Sequence, residues 1–503
     1  MKTCLFTLSL LLVPISLCAQ MEHDHPAPEK LGTVSFPTSC APAVQKQFER
    51  GVVLLHSFTY NEAEKTFRQV AADDPKCAMA HWGVAMSFYH QLWEPVSPVN
   101  LQRGRDELAT ALKLDPNSRE QQYIAALGAY YRAEEMTPAN RAEKYREQMA
   151  MVAKENPSDP EAQIFYALSL LGTAVPQDKT HANQKQALAI LEPLYKKFPQ
   201  HPGLAHYIIH SCDSTEMAKE GLQAARDYSK IAPSAPHALH MPSHIFTRLG
   251  YWDDSIRSNL AARQAAHDQG DIVEELHAMD YLTYAYLQRG RFEDAEKVLG
   301  DLRGMRELRG SDFKVGYAGT AMPVRYVIER QQWSEAAKIE PIAGAPPHVE
   351  AIAYWARAMG LARGGNPKAA DLEILKLQEC LDAVKATGNA YWTTQTHVLL
   401  LEAQSWSKYA AGKAAEAASL LRSAADEEDA VDKLPVTPGP IVPAREQLGE
   451  MLLAMKQPKE SLRAFEAALA DAPNRRGALV GAAATSQQLG EKMKAEKYRT
   501  ALR

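Results

Sequence analysis

The chain has 503 residues, 46% hydrophobic and 23% charged, with a formal net charge of −5. Such a length exceeds what one ordinary globular core holds, so several domains or one long repeat array are required. The mild charge gives no single-signed field of the kind that draws nucleic acid or an anionic membrane surface, and neither partner is expected.

Residues 1–19 read as a secretory signal rather than as part of the fold. Lys2 supplies the positive start, Leu5 to Leu17 form an apolar run too short to span a bilayer, and Ala19 offers a small residue for cleavage before Gln20. The expected location is the periplasm or the cell exterior. Cys18 raises a lipoprotein alternative, which the bulky Leu17 just before it disfavours. No later stretch is apolar enough for a transmembrane segment. Residues 20–40 are Pro-rich and expected to be loosely ordered; His23, Asp24 and His25 within them can bind a divalent ion but better fit a flexible polar tail. After cleavage four cysteines remain, Cys40, Cys77, Cys212 and Cys380, with no CxxC pair, so neither thioredoxin chemistry nor a zinc ribbon is indicated.

From Ala41 onward the chain repeats itself. Gly51, Ala63, Phe67 and Pro75 recur in spacing as Gly449, Ser461, Phe465 and Pro473, with Ala468 also in register. A Gly-to-small step of five returns at Gly250/Ser255, Gly290/Ala295, Gly365/Ala370, Gly412/Ala417 and Gly490/Ala495. Small residues let paired helices approach closely, the aromatic fills the gap, and Pro ends the second helix. This pattern resembles the tetratricopeptide-repeat (TPR) family over nearly the whole mature chain. It implies an all-α, TPR-like α-solenoid, a right-handed superhelix of about twelve helical hairpins. Residues 41–433 form its main body, with inserts at Gln91–Val99 and Thr173–Thr180. The acidic run Asp426–Asp429 reads as a solvated loop or helix end. Residues 434–443, with four prolines, read as a rigid break before a C-terminal repeat pair at 444–503. Cys40 precedes the first repeat helix and Cys77 opens the equivalent helix of the next. In a solenoid those helix starts are neighbours, so a Cys40–Cys77 disulfide is expected, the alternative being two independent thiols.

No Walker A loop, GxSxG, HExxH or CxxCH is present. What stands out among sixteen histidines is a ladder in register with the repeat. His240 follows His206 by 34 residues, and His244 follows His210 by the same step, the TPR period. Each pair is spaced i, i+4, so its two imidazoles share one helical face. In TPR proteins the corresponding positions line the concave groove. The next repeats add His277, Asp280, Tyr284 and Arg325 there, and His237 lies close by. Helix axes ~8–10 Å apart allow two such pairs to converge on one ion with Zn–N bonds of about 2.0–2.1 Å. His206, His210, His240 and His244 are therefore the expected ligands of a divalent transition metal, zinc foremost, with copper or iron as alternatives. Asp280 is the expected carboxylate neighbour. The segment HALHMPSHIFTRLG resembles a motif, HxxHMPxHIxxRxG, found with an upstream His-x-x-x-His in a group of exported bacterial TPR proteins, mostly of unassigned function. That resemblance is confined to about Ala205–Arg291 and implies a shared site without naming a reaction. Pro242 complicates the pair it divides, since a helix starting there spoils the i, i+4 geometry and a kink preserves it. His56, His81 and His90 share no register and read as packing residues. Trp82, Trp93, Trp252, Trp333, Trp355, Trp392 and Trp406 read as hairpin contacts.

Three functions fit. The first is an exported scaffold or binding protein with a metal-holding His-rich groove that takes a peptide, protein or small molecule. The second is a metal-dependent enzyme using the same cluster, with Tyr284 or Arg325 as helpers. The third is a metal-free protein–protein interaction scaffold.

Overall fold

The computed structural model describes residues 29–502, except 93–94, 133–134, 307, 309 and 311–312. The expected signal segment with Cys18, the His23–Asp24–His25 run and Trp93 lie outside the described residues. Every regular element among the described residues is a helix. Counting the broken helix Pro236–His240/Pro242–Arg248 as one, the helices form twelve consecutive hairpins, from Gln45–His56 with Tyr60–Asp73 to Arg476–Gln488 with Lys492–Ala501. The fold is an all-α TPR-like solenoid. No helix among the described residues is long and apolar enough to cross a membrane.

The repeat residues act as their types demand. A Cβ added at Gly51 or Gly83 would stand 2.6 or 2.4 Å from the Phe67 ring. At Gly449 or Gly481 it would stand 2.8 or 2.1 Å from Phe465. One aromatic thus wedges between the first helices of successive hairpins, and only glycine admits it. The turn glycines Gly250 and Gly290 have φ of +67° and +68°, the left-handed region that ends a helix cheaply only without a Cβ. Several helix starts combine a side-chain cap with a following proline, as at Ser97, Thr137, Asp159 and Asn366. In the fourth hairpin Asp159 accepts from the backbone of Glu161 and Ala162, with Pro160 at the first turn.

The molecule is closed rather than open. Cys40 and Cys77 are joined by a disulfide between the first two hairpins, while Cys212 and Cys380 are buried thiols. Residues 29–40, the described part of the segment expected to be loosely ordered, are pinned. The backbone of Lys30 exchanges hydrogen bonds with Ser234, Thr33 N–H donates to Gln200 O at 2.9 Å, and Leu31 and Phe36 are buried. The acidic run ends helix Ala414–Asp429, where Arg445 pairs with Asp426 and Asp429.

Residues 434–443 lie between helices Ala414–Asp429 and Ala444–Ala454. They form a strap laid along the first helices of the seventh hairpin (Ile272–Gln288) and the eighth (Phe313–Glu329). Tyr281 Oη donates to the carbonyls of Pro435 and Thr437 at 3.2 and 3.1 Å, and Tyr317 Oη to Thr437 Oγ1 at 2.8 Å. Arg325 donates to the carbonyls of Pro440 and Gly439 at 2.7 and 3.3 Å. Four prolines deny this segment the N–H groups of a helix. Its buried carbonyls must find side-chain donors, and tyrosine and arginine at groove positions supply them. Beyond the strap, Trp252 Nε1 donates to Asn474 O at 2.9 Å and Arg475 Nη2 to Glu329 at 2.6 Å, fastening the C-terminal repeats to the middle of the array.

Candidate metal centre

Three successive first helices carry the histidines. His206 and His210 lie on Pro202–Ser211, and His277 on Ile272–Gln288. His237, His240 and His244 lie on the broken helix between them. Pro242 breaks that helix, but Met241 keeps helical dihedrals of −53° and −35°, and its N–H still bonds to the carbonyl of His237. The turn is therefore retained, and His240 and His244 stay together. None of the six is more than 7% exposed, so this is an enclosed cluster rather than an open groove.

The ligand-capable atoms fall into two groups of three. In each of His206/His210/His237 and His240/His244/His277, one nitrogen per ring lies within 4.8 Å of the other two. The i, i+4 pairs supply the closest approaches: Nε2 to Nε2 is 3.1 Å for His206–His210 and 3.0 Å for His240–His244. The four histidines expected to share one ion are thus divided between two sets. Each set is completed by a residue first assigned to the surroundings, His237 or His277.

The Nδ1 partners decide what those nitrogens hold. His206 Nδ1 stands 2.6 Å from the carbonyl of His56, which only accepts, so Nδ1 carries the hydrogen and Nε2 the lone pair. His240 Nδ1 donates to Asn259 Oδ1 at 2.6 Å; that amide is oriented because its Nδ2 donates to Ser255 O at 2.8 Å. His244 Nδ1 donates to Asp213 Oδ2 at 2.8 Å, and His237 Nδ1 to Glu274 Oε2 at 3.0 Å. Burial drives His206, His210, His240 and His277 well below the usual imidazole range, with their neighbouring imidazoles adding to it. It drives His244 down to about 4 against the pull of Asp213. Burial pushes Asp213 up, but Lys433, His244 and Arg248 outweigh it and hold the carboxyl ionised; Lys314 and His237 do the same for Glu274.

At neutral pH, His240 and His244 therefore point two lone pairs at each other across 3.0 Å. The first pair differs, because an Nε2–H on His210 can donate to His206. Two nitrogens on a tetrahedral ion with bonds of about 2.0–2.1 Å stand about 3.3 Å apart, close to both observed separations.

No family model and no curated protein matches the chain.

Solved structures align with it along most of its length, at low identity and low TM-score. The Naa15/Naa10 complex bound to HypK-THB aligns at 13% identity over 90% of this chain and 62% of that one, with a TM-score of 0.23. The TPR domain of P58(IPK) aligns at 14% over 90% and 99%, TM-score 0.23. A human IFIT1 dimer with PPP-AAAA aligns at 13% over 90% and 88%, TM-score 0.40. The chain spans 62% of the length of the first of these. These likenesses concern fold class; the histidine geometry rests on this chain's own residues.

Of the other expected site residues, Arg325 serves the strap and Tyr284 the C-terminal repeats. Arg325 holds the strap's carbonyls, and Tyr284 Oη accepts from Arg475 Nη1 at 3.2 Å. Asp280 joins neither histidine group. Its carboxylate is buried with no hydrogen-bond partner among the described residues, and Arg325 Nε lies 3.8 Å away. Burial raises it to about 6, against the pull of Arg325. The carboxylates that touch the cluster are Asp213 and Glu274, with Asn259 as a third acceptor. None was foreseen, although Asp213 lies three residues past His210 and the motif arginine, Arg248, donates to it at 3.1 Å.

Two further groups have ligand-like spacing but no vacancy for an ion. Cys40, Asp74 and Cys77 contain the disulfide. In the other, Glu161 bridges His56 Nε2 and His201 Nε2 at 2.9 and 2.8 Å, while Tyr207 lies 2.9 Å from His56 Nδ1. Both rings donate to the carboxylate, a buried network that packs the first, fourth and fifth hairpins and leaves His201 Nδ1 without a hydrogen-bond partner among the described residues. A cleft of about 480 Å³ near Phe292 and Arg476 contains none of these histidines.

Proposed function

We propose that the protein is an exported TPR-like scaffold whose buried histidine cluster holds a first-row transition metal. The observation that carries this is the facing pair His240 Nε2 and His244 Nε2, 3.0 Å apart, with both Nδ1 hydrogens committed to Asn259 and Asp213. Two buried neutral imidazoles so arranged repel, and a cation between them turns that cost into two bonds. His277 completes a three-nitrogen set, which leaves a coordination position open. Export is supported by the N-terminal signal pattern and by the Cys40–Cys77 disulfide, which belongs to an oxidising compartment.

The chain's own strap covers the first helices of the seventh and eighth hairpins and the histidines themselves are buried, so the cluster serves an ion and what an ion can bind rather than a protein partner. Elemental analysis of protein purified without chelator tests the reading. The expected result is at least one equivalent of zinc, copper or iron, lost together with binding capacity in the His206→Ala/His240→Ala variant while the helical circular dichroism persists. Wild-type protein that takes up no such ion, even when offered each in turn, would sink the proposal.

A further inference from the structure

The division of the six imidazoles into two complete sets has a consequence for stoichiometry. We infer that the cluster is a dinuclear copper centre, with one ion on His206, His210 and His237, the other on His240, His244 and His277, and a small anion bridging them. This rests on the reading that the histidines hold metal at all.

Each set is sufficient alone, since three nitrogens within 4.8 Å of one another make a full three-ligand site with one position left over. The sets also abut. Ring centroids of His210 and His244 are 6.0 Å apart, as are those of His237 and His240. Two ions seated in such adjoining sets would be neighbours, the arrangement of dinuclear centres, which hold their metals about 3.5–4 Å apart.

Charge supplies the bridge. All six ligands are neutral imidazoles, and the carboxylates behind them are already matched. Asp213 pairs with Lys433 at 2.7 Å and Arg248 at 3.1 Å, and Glu274 with Lys314 at 2.6 Å. Two divalent ions would bring four positive charges into a buried space where, among the described residues, no unmatched carboxylate touches the histidines. An anion in the shared gap relieves that charge and fills the open position of both ions. Its size is limited by aromatic walls. Phe58 stacks on His210 and His237 at 5.7 and 5.5 Å, and Tyr281 packs on His240 and His244 at 4.7 and 5.0 Å. Hydroxide, azide or another ligand of one to three atoms fits that description. Copper is assigned because imidazole suits it and because, at a given nitrogen site, affinity among the divalent first-row ions peaks at Cu(II).

The test is titration of chelator-stripped full-length protein with Cu(II), read by equilibrium dialysis and electron paramagnetic resonance, with azide as the bridging probe. Two ions per chain are expected. Their resonance signal should be largely lost through coupling across the bridge, and azide should shift the visible charge-transfer absorption. The His277→Ala and His237→Ala variants should each bind one ion and regain a full single-copper signal. Saturation of the wild type at one ion overturns the dinuclear centre while leaving the metal-binding reading in place. No uptake of any ion removes both. Two bound ions with two undiminished, independent signals, or no response to azide, overturn the shared bridge. Because the wild-type count decides the matter, a variant that fails to fold does not.

Discussion

Asp213 holds three partners at once: the Nδ1–H of His244, the guanidinium of Arg248 and the ammonium of Lys433. It therefore orients one ligand and anchors the chain just before the strap. Replacing it with Asn keeps the shape but strips the charge that offsets two buried cations. Asp213→Asn is expected to cost about 3–5 kcal/mol in stability, as breaking a buried pair does. It should also weaken metal binding by about 10–100-fold, as losing an orienting carboxylate does. Denaturant melts and chelator competition measure the two effects, and an unchanged affinity would show that His244 needs no orienting partner. The imidazoles also set a pH dependence. In the unfolded chain they take up protons as pH falls through about 6.5. In the folded, metal-free protein burial resists this, with His244 holding out to about 4. The unfolded state then binds more protons, so stability should fall as pH drops from about 6.5 toward about 4. Asp280, raised to about 6, acts in the opposite sense, because the folded form takes its proton first and gains stability as pH falls through that value. Glu428, raised to about 8, Glu446, raised to about 7, and Glu402, raised well above the carboxylate range by burial, act as Asp280 does, but the lowered histidines His56, His206, His210, His240, His244, His277 and His348 outnumber these carboxyls and decide the sign below about 6.5. Thermal melts of chelated protein from pH 7 to pH 5 should show a falling midpoint; a rising one contradicts this account.

The hairpins repeat one packing device, the aromatic wedge, and its cost can be read at Phe67. That ring fills the space over Gly51 and Gly83 and touches Phe48 at a centroid distance of 5.5 Å. Phe67→Ala should lose about 3–5 kcal/mol, the range for emptying a packed aromatic site, measurable as a lower denaturation midpoint. This device was legible in the sequence because it is local: Gly51, Ala63 and Phe67 recur at fixed offsets, and the same offsets place His206 over His240. The assignment of ligands was less legible. His237 lies three residues before His240 and one helical turn away, yet it groups with His206 and His210, a placement that no repeat offset signals. Pro242 gave no warning that Met241 would keep the turn. Asp213, Asn259, Glu274 and Lys433 come from a turn, second and first helices and the strap flank, at separations that follow no repeat period. The prolines of 434–443 were plain to see, but whether such a segment leaves the array or lies down on it depends on donors as distant as Tyr281, Tyr317 and Arg325.

At the scale of the whole molecule, the strap is held chiefly through its carbonyls, which makes Arg325 its principal clasp. Arg325→Met should release residues 439–441 and take from Asp280 the cation that stands 3.8 Å away. Limited proteolysis with mass-spectrometric mapping is expected to show cleavage within 434–443 rising several-fold over wild type, and an unchanged map would place the hold elsewhere. The pinned termini reach further. A repeat array whose units touch only their neighbours frays from its ends, and its unfolding spreads piecemeal along the stack. Here Lys30 and Thr33 are tied to Ser234 and Gln200, Lys433 to Asp213, and Asn474 and Arg475 to Trp252 and Glu329. The first and last repeats are thus fastened to the middle ones, and neither end can peel away without prying open the hairpins that carry the histidines. Amide hydrogen exchange should accordingly find the outer hairpins nearly as slow as the central ones, in a solenoid that melts as one cooperative body.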